Sequence, residues 1–312
     1  MEIDRYYKMK VFVTGVNGQL GYDVLKELHK RGHIGIGSGK SSHYNGETTE
    51  SFTENVSYIQ LDITDKACVR KTISEIKPDA VIHCAAWTAV DLAEEDENRK
   101  AVWVLNVGAT RNIAEVCNSL GCKMMYISTD YVFDGQGEEP WSADNHSYQP
   151  LNYYGQTKLE GEQAVARILQ KYFIIRISWV FGRNGKNFVK TMLNLGKKYS
   201  KLRVVCDQVG TPTYTFDLSR LLIDMIETER YGYYHASNEG GYISWYDFAS
   251  EIFRQSNMNV EVEPVTTIEY GLAKAIRPYN SRLDKSKLVE QGFKLLPPWK
   301  EALNRFLKEI ED

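Results

Sequence analysis

The segment Lys10–Thr14 is a short, largely apolar run, Lys-Val-Phe-Val-Thr, that breaks directly into a glycine-rich turn. The turn reads Thr14-Gly15-Val16-Asn17-Gly18-Gln19-Leu20-Gly21, and Leu20, Val24, Leu25 and Leu28 then recur at helical spacing until Gly32 ends the run. A strand that passes through three glycines into an amphipathic helix has few uses. Glycine permits the tight turn and lets backbone amides approach an anion closely, and the helix N-terminus offers its free N–H groups to that anion. The first expectation is therefore a pyrophosphate held at the carboxyl edge of a parallel sheet.

The two hydrophobic periods keep alternating. Ile34 and Ile36 mark a second strand and residues 56–61 a third. Residues 66–76 read as a helix, 80–84 as a fourth strand, about 98–120 as a long helix and 123–128 as a fifth strand. Another helix begins near Tyr154, and 173–177 is a sixth strand. Such alternation implies right-handed crossovers and a parallel sheet covered on both faces. The expected fold class is α/β, a Rossmann-like doubly wound parallel sheet with a smaller interwoven C-terminal lobe. The dinucleotide-type domain is expected over 9–180 and a mainly substrate-binding lobe over 181–312. In that lobe helices are expected around Phe188, Met192 and Leu195, at 216–227 and at 245–255, with a strand at 202–205 and five prolines as breakers.

Composition removes whole classes of partner. Thirty-eight Lys and Arg against forty-one Asp and Glu leave a net charge of −3, so nothing draws the chain to nucleic acid or to an anionic membrane. No apolar run has membrane-span length, and the charged stretch from Met1 to Lys10 lacks a signal-peptide core, so the cytoplasm is expected. The five cysteines are odd in number and none are paired as C-x-x-C, so neither a disulfide framework nor structural zinc is expected.

Tyr154-Gly155-Gln156-Thr157-Lys158 places a tyrosine and a lysine on one face at the start of a helix. A phenol is a poor acid–base group near neutrality, and a lysine one turn away stabilises its phenolate. Ser128-Thr129-Asp130 ends the fifth strand at the same edge of the sheet. The spacing T-G-x-x-G-x-x-G with this Y-x-x-x-K resembles the short-chain dehydrogenase/reductase superfamily, which carries its catalytic Ser or Thr at that strand end. The resemblance implies Thr129, Tyr154 and Lys158 as the catalytic set, with Lys158 also reaching the nicotinamide ribose. It likewise implies that Asp62, with Ile63 beside it, meets the adenine, that Ala85, Ala86 and Thr88 lie along the cofactor, and that Asn106 ties the central helix to the sheet. The acid that usually holds the adenosine ribose is missing: Ile36 is followed by Gly37, Ser38, Gly39, Lys40, Ser41 and Ser42. Lys40 suits a 2′-phosphate, which favours NADPH over NADH.

Longer blocks narrow the resemblance. Ala86-Trp87-Thr88-Ala89-Val90-Asp91 with Glu94, Pro150-Leu151-Asn152-Tyr153-Tyr154-Gly155, Asp207-Gln208-Val209-Gly210-Thr211-Pro212-Thr213 and Arg277-Pro278-Tyr279-Asn280-Ser281-Arg282-Leu283-Asp284 are together similar to the dTDP-4-dehydrorhamnose reductases. That family implies a dTDP-4-dehydro-6-deoxy-L-sugar as substrate, reduced at its 4-keto group. It places the dinucleotide on Gly15, Asn17, Gly18, Gln19, Leu20 and Gly21, and the deoxysugar against Thr129, Asp130 and Trp179. Asn187, Gln208 and Arg282 fall in its substrate-side blocks. Some relatives dimerise through magnesium held by glutamates; no such site is identifiable here, so no metal-ligating residue is named, magnesium is left open as a minor cofactor, and the assembly is expected to be a monomer or homodimer. Residues 1–8 precede Met9, where family chains ordinarily start, and read as an extension or an upstream initiation. Tyr131 stands where 4,6-dehydratases carry a glutamate, which argues against that activity. The alternatives are another nucleotide-sugar reductase or epimerase on the same fold, or a non-catalytic regulatory subunit, which the intact Tyr154 and Lys158 disfavour.

Overall fold

A computed structural model describes residues 8–45 and 57–311. Its strands are β1 Lys10–Thr14, β2 Ile34–Gly39, β3 Ser57–Gln60, β4 Ala80–His83, β5 Lys123–Thr129, β6 Tyr172–Ile177 and β7 Gly232–Ala236. They form one parallel sheet in the order β7-β6-β5-β4-β1-β2-β3. The chain starts at β1, moves outward to β3, then returns to the other side of β1 as β4. At that reversal the loops after β1 and β4 diverge and leave a crevice at the carboxyl edge, where open α/β sheets take their ligands.

The strands read as unbroken apolar runs because both faces are covered. Val11 and Val13 point into one core with Ile82, Met125, Ile127, Phe173 and Ile175, whereas Phe12, Val81, Met124, Tyr126 and Ile174 point into the other. The first core is closed by helix α1 Gln19–Lys30, and the second by α2 Lys66–Ile76. A short α3 Val90–Ala93 and α4 Asp96–Trp103 follow β4, and α5 Thr110–Leu120 packs beside α2. The helix bearing Tyr154 is α6 Tyr153–Ile168.

One feature differs from the sequence expectation. The long helix at about 98–120 is interrupted: Val104–Ala109 between α4 and α5 is a π-helical turn, and the Thr110 hydroxyl donates to the Asn106 carbonyl at 2.7 Å. Beyond residue 180, helix α8 Thr215–Ile226 packs on α1 and β7 extends the main sheet. Helix α7 Phe188–Gly196, helix α9 Trp245–Gln255, a terminal helix Trp299–Glu311 and the parallel pair Lys201–Val205 with Glu261–Val265 build the remaining lobe. Its core includes Phe181, Val189, Val204, Phe248, Trp299 and Phe306. Val56 and residues 1–7 lie outside the described residues. Among the described residues no helix is long and apolar enough to cross a membrane.

Candidate active site

A cleft of 1210 Å³ opens at the carboxyl edge between the sheet and the second lobe. That exceeds the usual volume of a pocket for one drug-sized ligand. At one end lies the glycine turn. Gly15 has φ +72°, and a Cβ there would stand 2.7 Å from the Ala85 nitrogen, so both the conformation and the approach of β1 to the 84–86 segment require glycine. Gly21 sits so close that a Cβ would meet the Gly15 carbonyl oxygen at 2.4 Å. Gly18 precedes α1 in an extended conformation, no side chain caps the helix, and its first turn holds no acid. Uncapped amides beside a glycine cradle fit a pyrophosphate. Further along the cleft, Asp62 accepts from Thr64 N–H at 3.0 Å and from Thr64 Oγ1 at 2.7 Å, bonds that hold its carboxyl below the ordinary value. Lys40 Nζ lies 3.1 Å from Asp62 and is otherwise exposed.

The other end of the cleft is lined by Thr129, Asp130, Tyr154, Lys158 and Trp179. Asn152 caps α6 by accepting from Gly155 N–H at 2.8 Å, which places Tyr154 in the first turn. Gly155 has no room for a Cβ, which would lie 2.3 Å from the Tyr131 carbonyl oxygen; α6 is thus pressed against the end of β5. The Tyr154 ring stands edge-on to Tyr131 at 5.7 Å. Burial raises the Tyr154 phenol well above its ordinary range, the Asp130 charge adds to this, and the Thr129 hydroxyl opposes it. Asp130 is itself pushed up to about 6 by burial, against the hydroxyls of Ser281 and Thr129, the latter donating to Oδ1 at 3.0 Å. Lys158 is buried with its ammonium over the Tyr126 ring at 4.1 Å, and donates to the Ile127 carbonyl at 2.7 Å. Burial lowers it to about 7, although Glu162 and Cys84 pull the other way.

Behind this wall runs a buried polar chain that links the glycine turn to the central helix. Thr110 Oγ1 donates to Asn106 O, so it must accept from His83 Nε2–H at 3.1 Å. His83 Nδ1 is then an acceptor, and Thr14 Oγ1 donates to it at 2.7 Å while accepting from Ala85 N–H at 3.2 Å. Every hydrogen has one place, and the imidazole is neutral. Asn106 continues the chain: Oδ1 accepts from Trp87 N–H at 2.8 Å and Nδ2 donates to Thr157 Oγ1 at 3.0 Å. Burial, with the Lys158 charge behind it, pushes His83 down to about 3. The unfolded chain takes up that proton near 6.5, so between 6.5 and 3 it binds more protons than the folded one. Stability from this group is complete above the unfolded pKa and is lost as pH falls through the window, by on the order of 4 kcal/mol. His83→Asn should lose less stability than the parent between about pH 7 and about pH 4 in urea titrations; equal losses would contradict the neutral assignment.

The remaining sequence-expected residues divide in two. Gln19, Leu20, Ile63, Ala85, Ala86 and Thr88 line the cleft with those above, whereas Asn17, Asn106, Asn187, Gln208 and Arg282 are not in its lining. Asn17 Oδ1 accepts from Asn45 N–H at 3.2 Å, bracing the glycine turn from outside. Asn187 caps α7 and donates to Gln19 Oε1 at 2.9 Å, Gln208 donates to Thr267 Oγ1 at 3.0 Å, and Arg282 donates to Asn280 Oδ1 at 3.1 Å. Cys84, beside Ala85, lines the cleft as well, and so do Trp87 and Trp245, to which the sequence assigns no site role. Trp245 read from sequence only as the start of a helix. Among the described residues no group of three or more His, Cys, Asp or Glu could hold a metal ion.

The family model described as the RmlD substrate binding domain matches residues 9–311. The chain is 37% identical to the spore coat polysaccharide biosynthesis protein SpsK of Bacillus subtilis, over 96% of this chain and 97% of that one. It is 34% identical to the dTDP-4-dehydrorhamnose reductase of Shigella flexneri, over 97% and 98%. Among solved structures it is similar to the dTDP-4-dehydrorhamnose reductase of Bacillus anthracis in complex with NADP, with a TM-score of 0.85 and 41% identity over 97% and 99% of the two chains.

Proposed function

The chain belongs to the RmlD substrate binding domain family, and on that premise we propose that it is an NADPH-dependent dTDP-4-dehydrorhamnose reductase. Its reaction converts dTDP-4-dehydro-L-rhamnose to dTDP-L-rhamnose, the rhamnose donor for polysaccharide synthesis. The observation that carries this reading is the continuity of one cleft, from the uncapped glycine turn to the Thr129–Tyr154–Lys158 group.

A bound dihydronicotinamide supplies hydride to the carbonyl carbon of the sugar. Tyr154 gives its phenolic proton to the carbonyl oxygen as negative charge develops there, and its burial keeps that proton in place until the substrate arrives. Thr129 Oγ1, whose one proton goes to Asp130 Oδ1 in the free protein, turns that proton to the same oxygen. Lys158 has two N–H bonds left beyond the one to Ile127, and these serve the cofactor ribose and the phenolate left on Tyr154. Trp179 supplies an apolar wall for the pyranose, and Asp62 accepts from the adenine amino group. The decisive experiment follows loss of reduced-nicotinamide absorbance with dTDP-4-dehydro-L-rhamnose generated in place and identifies the product. Substrate-dependent oxidation yielding dTDP-L-rhamnose is expected; no oxidation by a protein that binds NADPH would overturn the assignment.

Cofactor preference rests on the second strand. No acid follows β2, and the exposed Lys40 ammonium, 3.1 Å from Asp62, lines the cleft and would suit a 2′-phosphate. Lys40→Ala should weaken NADPH binding roughly tenfold and leave NADH binding unchanged, measured as two dissociation constants. Equal weakening of both would remove the 2′-phosphate role.

A further inference from the structure

Trp179 lies in the left-handed region, φ +49°, which a bulky residue rarely adopts. Such a conformation persists only where the surroundings over-determine it. Three contacts do so here. The Trp179 carbonyl accepts from Thr213 N–H at 3.1 Å. Gly210 presses on the indole: a Cβ there would stand 3.0 Å from Cε2 and 3.1 Å from Nε1. Trp245 stacks flat on the ring, with centroids 3.7 Å apart and planes 13° from parallel.

The last two contacts come from a single short ladder. Val209–Gly210 pairs antiparallel with Ile243–Ser244, Gly210 opposite Ile243. Ser244 then caps α9 in a reciprocal pair with Asp247, with Asp247 N–H donating to Ser244 Oγ at 3.1 Å and Ser244 N–H to Asp247 Oδ2 at 2.9 Å. The cap fixes Trp245 as the first helical residue, and Phe188 backs its ring at 4.6 Å. One ladder thus sets glycine against the Cε2–Nε1 bond of Trp179 and a second indole against one of its faces. Both indoles line the cleft.

We propose that Trp245 is a positioning residue for the sugar end of the cleft: stacked on Trp179, it holds that residue in its left-handed conformation so that the Trp179 indole presents a rigid apolar wall to the pyranose. This rests on the nucleotide-sugar reading above. The wall is pre-organised, so the substrate does not have to order it on binding.

The test is a split between KM and kcat. Trp245→Ala should raise KM for the nucleotide sugar roughly tenfold, the factor a stacked aromatic pair contributes, with kcat and NADPH affinity little changed. A purely structural role would instead lower the active fraction and leave KM where it was. Trp245→Phe keeps a ring on the stack and should recover most of the affinity. Gly210→Ala crowds the Trp179 indole, together with the Ser281 side chain, and should raise KM without touching Trp245, which keeps the test open if Trp245→Ala does not fold. Trp179→Ala with Trp245→Ala should be no worse than Trp179→Ala alone, because both act through one indole. An unchanged KM in Trp245→Ala or in Gly210→Ala, or effects that multiply in the double variant, would overturn the inference. The parent protein serves as the control for the underlying reading: if it does not turn over the sugar, that reading fails, whereas normal turnover with an unaffected Trp245→Ala removes only the role given to Trp245.

Discussion

Replacing Tyr154 with phenylalanine lowers kcat by about three orders of magnitude and leaves NADPH binding within about a factor of two of the parent. The substitution removes one oxygen and little else. The ring keeps its edge-on contact with Tyr131, Asn152 still caps α6, and the glycine at 155 still lets the helix lie against β5. What disappears is the proton that the keto oxygen needs as hydride arrives. Neither neighbour replaces it well. Asp130 is turned toward the Thr129 hydroxyl, and Lys158 donates to the Ile127 carbonyl from beneath the helix. Single-turnover rates with saturating nucleotide sugar, set beside a fluorescence titration with NADPH, separate the two effects. A variant that turned over within about a factor of ten of the parent would put the proton elsewhere.

Much of this arrangement was legible in the sequence, and the reason is locality. The glycine turn, the end of β5 and the start of α6 are each decided by a few consecutive residues, so Gly15 is readable from its turn, and Thr129, Tyr154 and Lys158 from short motifs that resemble those of a known superfamily. The strands were legible because both faces are buried, which leaves few polar interruptions. The π-helical turn at 104–109 was invisible, since six residues of wider winding inside an otherwise periodic stretch barely disturb its pattern. The terminal helix Trp299–Glu311 carried a fair signal in Trp299, Leu303, Phe306 and Leu307, but Pro297 and Pro298 before it read only as breakers. Trp245 and His83 were missed for a different reason. The place of Trp245 depends on pairing between 209–210 and 243–244, and the partners of His83 come from β1 and α5, so neither role exists until distant segments meet.

Glu162→Ala is expected to have the largest effect on stability, a loss of about 3–5 kcal/mol, because it strands a buried charge. Glu162 and Arg176 are both inaccessible to solvent. Arg176 Nε donates to Glu162 Oε1 at 2.9 Å and its NH2 nitrogen to Oε2 at 2.8 Å, with a further bond to the Tyr148 hydroxyl at 2.8 Å. The rings of Phe133, Tyr148 and Tyr233 surround the guanidinium at about the same distance, 4.9 to 5.1 Å. Without the carboxylate, these rings and Tyr148 cannot balance a cation that has no route to water. A variant that loses both charges, Glu162→Leu with Arg176→Met, should therefore unfold at a higher urea concentration than Glu162→Ala alone. The same carboxylate also acts one helical turn away, where it raises the pKa of Lys158 against the burial that lowers it to about 7. Its removal lets Lys158 lose its proton at lower pH. If the protonated lysine is what supports the phenolate, the basic limb of kcat/KM moves toward acid in Glu162→Gln, which keeps the shape of the side chain and discards the charge. A limb that stays in place while stability falls would confine the ion pair to holding α6 on the sheet; a limb that moves with it joins the stability of the helix to the chemistry at its first turn.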